Sequence, residues 1–432
     1  MATIRSIRAL DWLNFFMANV QTGFGPFIAS YLASEKWTQG EIGIALSVGT
    51  VTAMVSQLPA GAVVDALRSK RGAAAAALGA VTVSATLFAV STAWVSVIFA
   101  EILHGFASCM LVPAIAAISL ALVGRKHLGD RLGRNARWAS IGSACAALIM
   151  GLFGQYVSVR GIFWLTAGLT VPSIIALGMI EQGGPARGRG AAGQGAPPGA
   201  AGTGTGTGGS PGDVLAAAPR ESLATLLRDR RLLIFAACIV LFHLSNAAML
   251  NLAAGEVTLR MGDHVQLVIA ACIIVPQMIV AAMSPWVGRS SQRWGRRPIL
   301  ILGFSALPVR ALLFALVSNA SNPYLLVPVQ VFDGLSAAVF GVMLPLIAAD
   351  VAGGKGRYNL CIGFFGLAAG VGATLSTTVA GFAADRFGSS AAFFGLAAMG
   401  ALAVLLVWKA MPETRDSDDA GADTAAELDG AH

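Results

Sequence analysis

Four ionisable side chains lie inside long apolar segments of this sequence: Glu101, His104, Arg310 and Asp333. A charge in such surroundings is costly, so each is expected to face a partner or a hydrated cavity. Glu101 and His104 are three residues apart, which places them on one face of a helix. A carboxyl group shielded from water can bind and release a proton as its surroundings hydrate, and an imidazole can relay that proton. The pair therefore predicts a proton-handling site, with ligand recognition or a static hydrogen-bonded pair as the alternatives.

A second group of polar residues repeats this spacing further along the chain. Gln330 and Asp333 are again three residues apart, and Arg310 lies at a depth similar to that of Asp333, roughly 12 Å from the end of its own segment. The similar depth predicts an ion pair between Arg310 and Asp333. Other amide and imidazole side chains inside apolar segments could bind a ligand or tie neighbouring helices together; these are Asn19, Gln21, His243 and Asn246.

The composition indicates which elements must position these side chains. Hydrophobic residues make up 56% of the 432 residues, charged residues only 12%, and the mean hydropathy is +0.72. Soluble domains carry about 25% charged residues, so a soluble globular protein is excluded. The apolar stretches are long enough for the roughly 20 residues that cross a bilayer. They predict an all-α polytopic membrane protein with twelve transmembrane helices.

The distribution of basic residues predicts the orientation. Most of the 29 lysines and arginines fall on the face that carries both termini. Positively charged loops stay in the cytoplasm, so both termini are expected there, and the Ala- and Gly-rich composition favours the inner membrane of a bacterium. The charge of +7 does not indicate nucleic acid binding, because these basic residues lie in short loops. The five cysteines lie in apolar stretches without metal-ligand spacing, so no metal or other cofactor is predicted.

Shifts in composition divide the chain into four regions. An N-terminal six-helix half covers 1–182, a linker rich in Gly, Ala, Pro and Thr covers 183–220, a C-terminal half covers 221–411, and an acidic cytoplasmic tail covers 412–432. The linker composition is typical of a flexible chain. The tail, with Glu413 near its start, is expected to be solvated and mobile.

Short motifs recur in the same order in the two halves. Phe15–Asn19 matches Phe242–Asn246, and Glu101–Gly105 matches Gln330–Gly334, at nearly the same offset. Such duplication predicts two pseudo-symmetric six-helix bundles. A central site between two such bundles can face either side of the membrane, which is an architecture that transporters use.

The loop after the eighth segment carries the most specific motif, Gly-Arg-Ser-Ser-Gln-Arg-Trp-Gly-Arg-Arg over residues 288–297, and the first half keeps a partial copy from Gly61 onward. With these motifs the chain resembles the major facilitator superfamily, and its twelve-span, drug-efflux-like members in particular. Gln292 stands where the family's loop has Asp. The resemblance implies that these loops latch the cytoplasmic side, holding it closed when the cavity opens outward. The alternative is that their charges only set the topology of the chain in the membrane. The residues concerned are Gly61, Asp65, Arg68, Gly288, Arg293, Gly295, Arg296 and Arg297.

The resemblance also implies that spans one, four, seven and ten line a central cavity. Glu101, His104, Gln330 and Asp333 should then face it. The family places span nine, which carries Arg310, towards the periphery, so the resemblance implies a structural role for the pair of Arg310 and Asp333. Many proton-driven exporters of this family carry an arginine in span four where this chain has Glu101. The role of that arginine in proton coupling therefore cannot be carried over to this chain. Glu101 is predicted to bind the coupling proton itself.

These features predict a monomeric secondary active transporter of a small molecule. Its partners are the substrate, protons and the lipid bilayer, and export of small amphiphilic compounds is the favoured direction. Proton-coupled uptake of an organic acid or other metabolite is one alternative, and a non-transporting receptor or scaffold is another. An enzyme is not expected, because no nucleophile elbow or phosphate-binding loop with proper flanks occurs.

Overall fold

The computed structural model describes residues 4–66, 69–123, 128–180, 229–260, 264–317, 322–352 and 358–414. The first half contains α1 Ile4–Thr22, α2 Pro26–Ser34, α3 Gln39–Ala66, α4 Lys70–Val90, α5 Trp94–Val123, α6 Leu128–Tyr156 and α7 Val159–Gly178. The second half contains α8 Arg230–Arg260, α9 Val265–Trp294, α10 Arg296–Val317, a 3-10 turn at Pro323–Leu325, α11 Leu326–Ala352, α12 Tyr358–Phe387 and α13 Ser389–Ala410. No β-strand occurs in these described ranges.

The helices confirm the predicted all-α polytopic fold. Ten candidate membrane spans in the described ranges are long and apolar enough to cross a bilayer. The other two crossings of the predicted twelve are α3 and the pair α1 and α2. The 28 residues of α3 extend about 42 Å at 1.5 Å per residue, which exceeds the bilayer core.

The first crossing is interrupted where the sequence has Gly25 and Pro26. Gly25 has a φ of 85°, which glycine adopts without the steric cost of a side chain, and Pro26 begins α2 at its first position. Pro26 has no amide hydrogen to continue the ladder of α1. The break lets α2 turn toward α8 of the other half, against which it packs.

The packing repeats in the two halves. In the first, α1 packs on α6 and α7, and α5 packs on α3 and α4; in the second, α8 packs on α12 and α13, and α11 packs on α9 and α10. This correspondence agrees with the predicted duplication.

A buried charge network joins α1 to α6 near the termini. The Asp11 carboxylate is 3% exposed, and its Oδ1 lies 2.5 Å from Nη2 of Arg131, which is equally buried. Arg134 binds both oxygens of Asp11, with Nη2 2.6 Å from Oδ2 and Nε 3.0 Å from Oδ1. Arg131 also donates to Asn135, which donates to Ser119 of α5. Asp11 is a further charge inside the first span, beyond those expected from the sequence.

Two boundaries of the predicted cytoplasmic loops are wrong. Gly61 and Asp65 lie within α3, and Gly288 and Arg293 lie within α9, so the loops begin later than expected. The reason is that α9 continues until Gly295, whose φ of 90° ends the helix at a conformation that other residues rarely adopt. Arg68, the linker 183–220 and residues 415–432 of the tail lie outside the described residues.

The start of the predicted solvated tail is also wrong, because Glu413 is bound to the fold. Its Oε1 accepts the amide of Arg296 at 2.7 Å and its Oε2 accepts the amide of Arg297 at 3.1 Å, so it caps the first turn of α10. Arg296 reaches Asp350 at 3.1 Å, and Thr414 donates to the same carboxylate at 3.0 Å. A carboxylate at a helix N-terminus satisfies amides that have no partner within the helix.

Replacing Asp11 with Ala should destabilise the protein by about 3–5 kcal/mol, because Arg131 would remain buried without a counter-charge. Unfolding of the detergent-solubilised protein by heat or urea measures the effect. Glu35→Ala, which removes an exposed carboxylate, is the matched control and should change stability by less than about 1 kcal/mol. Equal stability of the two variants would contradict the role given to Asp11.

Candidate functional site

Glu101 is buried between α5 and α3. The residue is 3% exposed, and its carboxyl group lies directly against Gly49, where any added Cβ would overlap Oε2. Gly105, one turn further along α5, lies against the backbone of α3 at Gly49 in the same way. The two glycines let the helices approach closely, and that approach shields the carboxyl group from water. Among the residues that the structure describes, Oε1 of Glu101 has no hydrogen-bond partner.

His104 belongs to a separate polar cluster on α5 and α1. Its Nε2 lies 2.8 Å from Oε1 of Gln21, and the Ser108 hydroxyl donates to the same oxygen at 3.2 Å. The imidazole stacks on Phe24, with ring centres 3.7 Å apart and planes 3° from parallel. The structure records no hydrogen bond between Glu101 and His104 in the described chain. Despite their helical spacing, Glu101 contacts α3 whereas His104 contacts α1.

In the second half, Arg310 of α10 binds polar side chains of α8 and α11. It is 1% exposed, and its Nη1 lies 2.7 Å from Oδ1 of Asp333. Nη1 also donates to Asn246 at 2.5 Å, and Nη2 donates to Gln330 at 2.9 Å. The guanidinium carbon lies 5.2 Å from the centre of the Phe314 ring. The network joins α8, α10 and α11 and brings together four residues that the sequence analysis singled out. Asp333 remains partly open, with 18% of its side chain exposed.

The other predicted cavity residues differ in their surroundings. Asn19, expected to match Asn246, donates instead to the Phe15 carbonyl of its own helix at 2.8 Å and is 1% exposed. His243 is half-buried, and its ring forms a T-shaped pair with the Phe340 ring, with 5.1 Å between the ring centres. Within the described chain, Nε2 of His243 has no hydrogen-bond partner. Gln21, not Asn19, is therefore the first-span amide that contacts the span-four cluster.

The two halves are clamped together on the face opposite the termini. Ser47 of α3 lies 2.7 Å from the hydroxyls of both Thr377 and Thr378 of α12. Beside it, Gly43 lies against the Thr377 carbonyl and Gly381 lies against the Gln39 carbonyl, so backbone meets backbone. On the other flank, Ser30 bridges Thr258 at 2.7 Å and Gln266 at 2.8 Å.

Asp385 completes this clamp from the end of α12. Its Oδ1 accepts the Gln39 amide at 2.9 Å, and its Oδ2 accepts the Gly40 amide at 2.7 Å. The carboxylate of one half thus caps the first turn of a helix in the other half, where the helix dipole favours negative charge. Asp385 is not among the residues expected from the sequence, because Asp385 beside Arg386 resembles an ordinary pair of loop charges.

The arginines of the predicted loops make contacts within their own halves. Arg297 donates to the Trp408 carbonyl at the end of α13, and Arg71 donates to the Gly178 carbonyl at the end of α7 at 3.0 Å. Cations at helix C-termini stabilise the carbonyls that have no partner within the helix. The latching role expected for these loops stays a prediction.

Comparison with known proteins identifies the family. The sequence model of the Major Facilitator Superfamily matches residues 10–307 and, again, residues 238–428. Two Mycobacterium tuberculosis proteins, each described as an uncharacterized MFS-type transporter, are 36% identical over 418 residues, which cover 96% of this chain and 95% of theirs. The class B tetracycline resistance protein of Escherichia coli is 28% identical over 152 residues, or 35% of this chain and 36% of that protein.

Solved structures share the fold. The nucleoside transporter NupG superposes with a TM-score of 0.73 at 14% identity, over 94% of this chain and 98% of its own. A D-xylose–proton symporter gives a TM-score of 0.68 at 12% identity, over 95% of this chain and 98% of its own.

Replacing Asp385 with Ala should open the clamped face. Two amide–carboxylate hydrogen bonds are lost, and the closed population should fall by roughly 10-fold relative to the open one. Spin labels at the exposed positions Glu35 and Phe387, one in each half, report the separation by electron paramagnetic resonance. Glu41→Ala is the control, because that carboxylate accepts only the Thr38 amide of its own half. Unchanged distances between the spin labels in the Asp385 variant would contradict the role of Asp385 in the clamp between the halves.

Proposed function

Because the chain belongs to the Major Facilitator Superfamily and is a membrane transporter of that type, we propose that it exports small amphiphilic compounds in exchange for protons. The halves rock about the central cavity, so that the cavity opens to each side in turn. The observation that carries the proposal is the Glu101 carboxyl group, buried against Gly49 with an oxygen that lacks a partner among the described residues.

The surroundings of Glu101 support a role in proton coupling. A buried carboxylate without a cation beside it is costly, whereas the protonated form avoids that cost. Hydration of the same site during opening favours release of the proton. The other buried carboxylates behave differently, because Asp11 is bound by two arginines and Asp333 by Arg310. Glu101 is therefore the better candidate for a group that gains and loses a proton.

The clamp supports alternating access. The contacts described between the halves lie on the face opposite the termini, and Asp385 and Ser47 hold that face shut. Basic residues concentrate on the face of the termini, which the positive-inside rule assigns to the cytoplasm. On this assignment the clamp closes the outer side, which is one of the two states that alternating access requires.

Two observations favour an amphiphilic substrate over uptake of an organic acid. Arg310 is already bound by Asn246, Gln330 and Asp333, so it does not offer a free cation to an anionic substrate. The sequence similarity to a tetracycline resistance protein supports export of a drug-like small molecule. Gln21, His104 and Ser108 supply a polar patch beside the Phe24 ring, which suits such a compound.

Glu101→Gln should abolish proton-coupled transport, because the amide keeps the shape of the carboxyl group but cannot release a proton. Wild type, Glu101→Gln and the control Glu35→Gln are expressed at matched levels in an efflux-deficient bacterium and scored for growth on a panel of toxic amphiphiles. Resistance should be lost only in Glu101→Gln, with a drop in energised efflux of at least roughly 100-fold, as expected when a proton-transfer group is removed.

Transport assays on purified protein in liposomes then distinguish loss of proton coupling from loss of substrate binding. With an imposed pH gradient, wild type should concentrate the substrate, whereas Glu101→Gln should still bind it and exchange it across the membrane without a gradient. Equal gradient-driven transport by the two proteins would contradict the assignment of Glu101. Failure of wild type to confer resistance to any compound would contradict export of these compounds and favour uptake of a metabolite.

A further inference from the structure

A basic and aromatic patch covers the outward side of α1 and α6, near the termini. Arg5, Arg8, Trp12 and Phe16 of α1 fall within a sector of about 80° at 3.6 residues per turn. That sector is nearly opposite Gln21, which faces α5 inside the half. The patch therefore faces away from the central polar clusters and outward from the bundle. Trp12 is 47% exposed there.

The neighbouring helix contributes the same residue types at the same depth. Arg134, Arg137, Trp138 and Ile141 share one face of α6, and Trp138 lies 5.5 Å from Trp12 between ring centres. Trp12 also stacks on Phe16 at 5.7 Å with planes 25° apart. The two helices thus form one continuous surface, with guanidinium groups toward the termini and aromatic rings one or two turns deeper.

The charge of this surface remains positive despite the nearby carboxylate. Both oxygens of Asp11 are occupied by Arg131 and Arg134. The side chains of Arg5, Arg8 and Arg137 are exposed and form no hydrogen bond or ion pair with the residues that the structure describes. The arginines are therefore available to an anion from outside the chain.

We propose that this patch is a binding site for an anionic phospholipid in the leaflet on the side of the termini. Guanidinium groups bind phosphate through paired hydrogen bonds. Arg8 precedes Trp12 by four residues, or about 6 Å along the helix, which matches the step from the phosphates to the interfacial region where tryptophan concentrates. The acyl chains continue over the exposed apolar surface of α6, including Ile141, which is 44% exposed. Basic pockets between transmembrane helices bind acidic headgroups by the same chemistry.

The test compares lipid binding by full-length protein in a zwitterionic detergent. Native mass spectrometry counts adducts of phosphatidylglycerol and of phosphatidylcholine. The first phosphatidylglycerol should bind on the order of 10-fold more weakly to Arg5→Gln/Arg8→Gln than to wild type. The matched control is Arg230→Gln/Arg231→Gln, which removes two exposed arginines at the start of α8 on the same side of the membrane; its binding should equal that of wild type.

Three results would overturn the proposal: no loss in Arg5→Gln/Arg8→Gln, an equal loss in the control pair, or equal binding of phosphatidylcholine by wild type. Should the arginine variant fail to fold, tryptophan quenching by a brominated phosphatidylglycerol replaces it. Quenching should fall in Trp12→Phe if the lipid occupies the patch, and unchanged quenching would contradict the site.

Discussion

The cost of placing charge in a membrane interior governs this structure. Each buried charge needs a partner, and the partners lie on different helices, so satisfying the charges also fixes the helix packing. Asp11 with Arg131 and Arg134 joins α1 to α6. Arg310 with Asp333, Gln330 and Asn246 joins α8, α10 and α11. Each network ties helices of one half to each other and none to the other half, as a rigid-body movement of the halves requires.

The same constraint distinguishes Glu101 from the other carboxyl groups. Gly49 and Gly105 bring α3 and α5 so close that the carboxyl group is buried without a cation. In contrast to the charged networks, the clamp between the halves consists of hydroxyls, backbone carbonyls and one exposed carboxylate, that of Asp385. Hydroxyl contacts, and hydrogen bonds from backbone amides to an exposed carboxylate, cost less to break than a buried ion pair. Charge therefore stabilises the halves internally, and weaker contacts hold them to each other, as expected for two bodies that separate during a cycle.

The amino-acid sequence predicts the fold well, because hydrophobic length and the repeat of motifs are properties of the chain itself. The contact between Arg310 and Asp333 could also be anticipated, because an unpaired charge in an apolar medium is costly and two opposite charges at similar depth can form an ion pair. Asp11 was missed because it lies close to Arg5 and Arg8 and looks like an interfacial charge. The partners of Asp385 are backbone amides of α3 in the other half, and no side-chain pattern reveals them. The spacing of Glu101 and His104 suggested a shared site, but the packing of α5 between α1 and α3 directs the two side chains to different neighbours.

Measuring the protonation state of Glu101 tests most directly whether this residue carries the coupling proton. Infrared difference spectroscopy on reconstituted protein, recorded as pH is raised or a transported substrate is added, detects the carbonyl stretch of a protonated carboxyl group. The account predicts a band in the resting protein that disappears on substrate binding, is missing in Glu101→Gln and is retained in Glu35→Gln. A difference spectrum that is identical in wild type and Glu101→Gln would show that Glu101 does not exchange the coupling proton and would contradict the proposed mechanism.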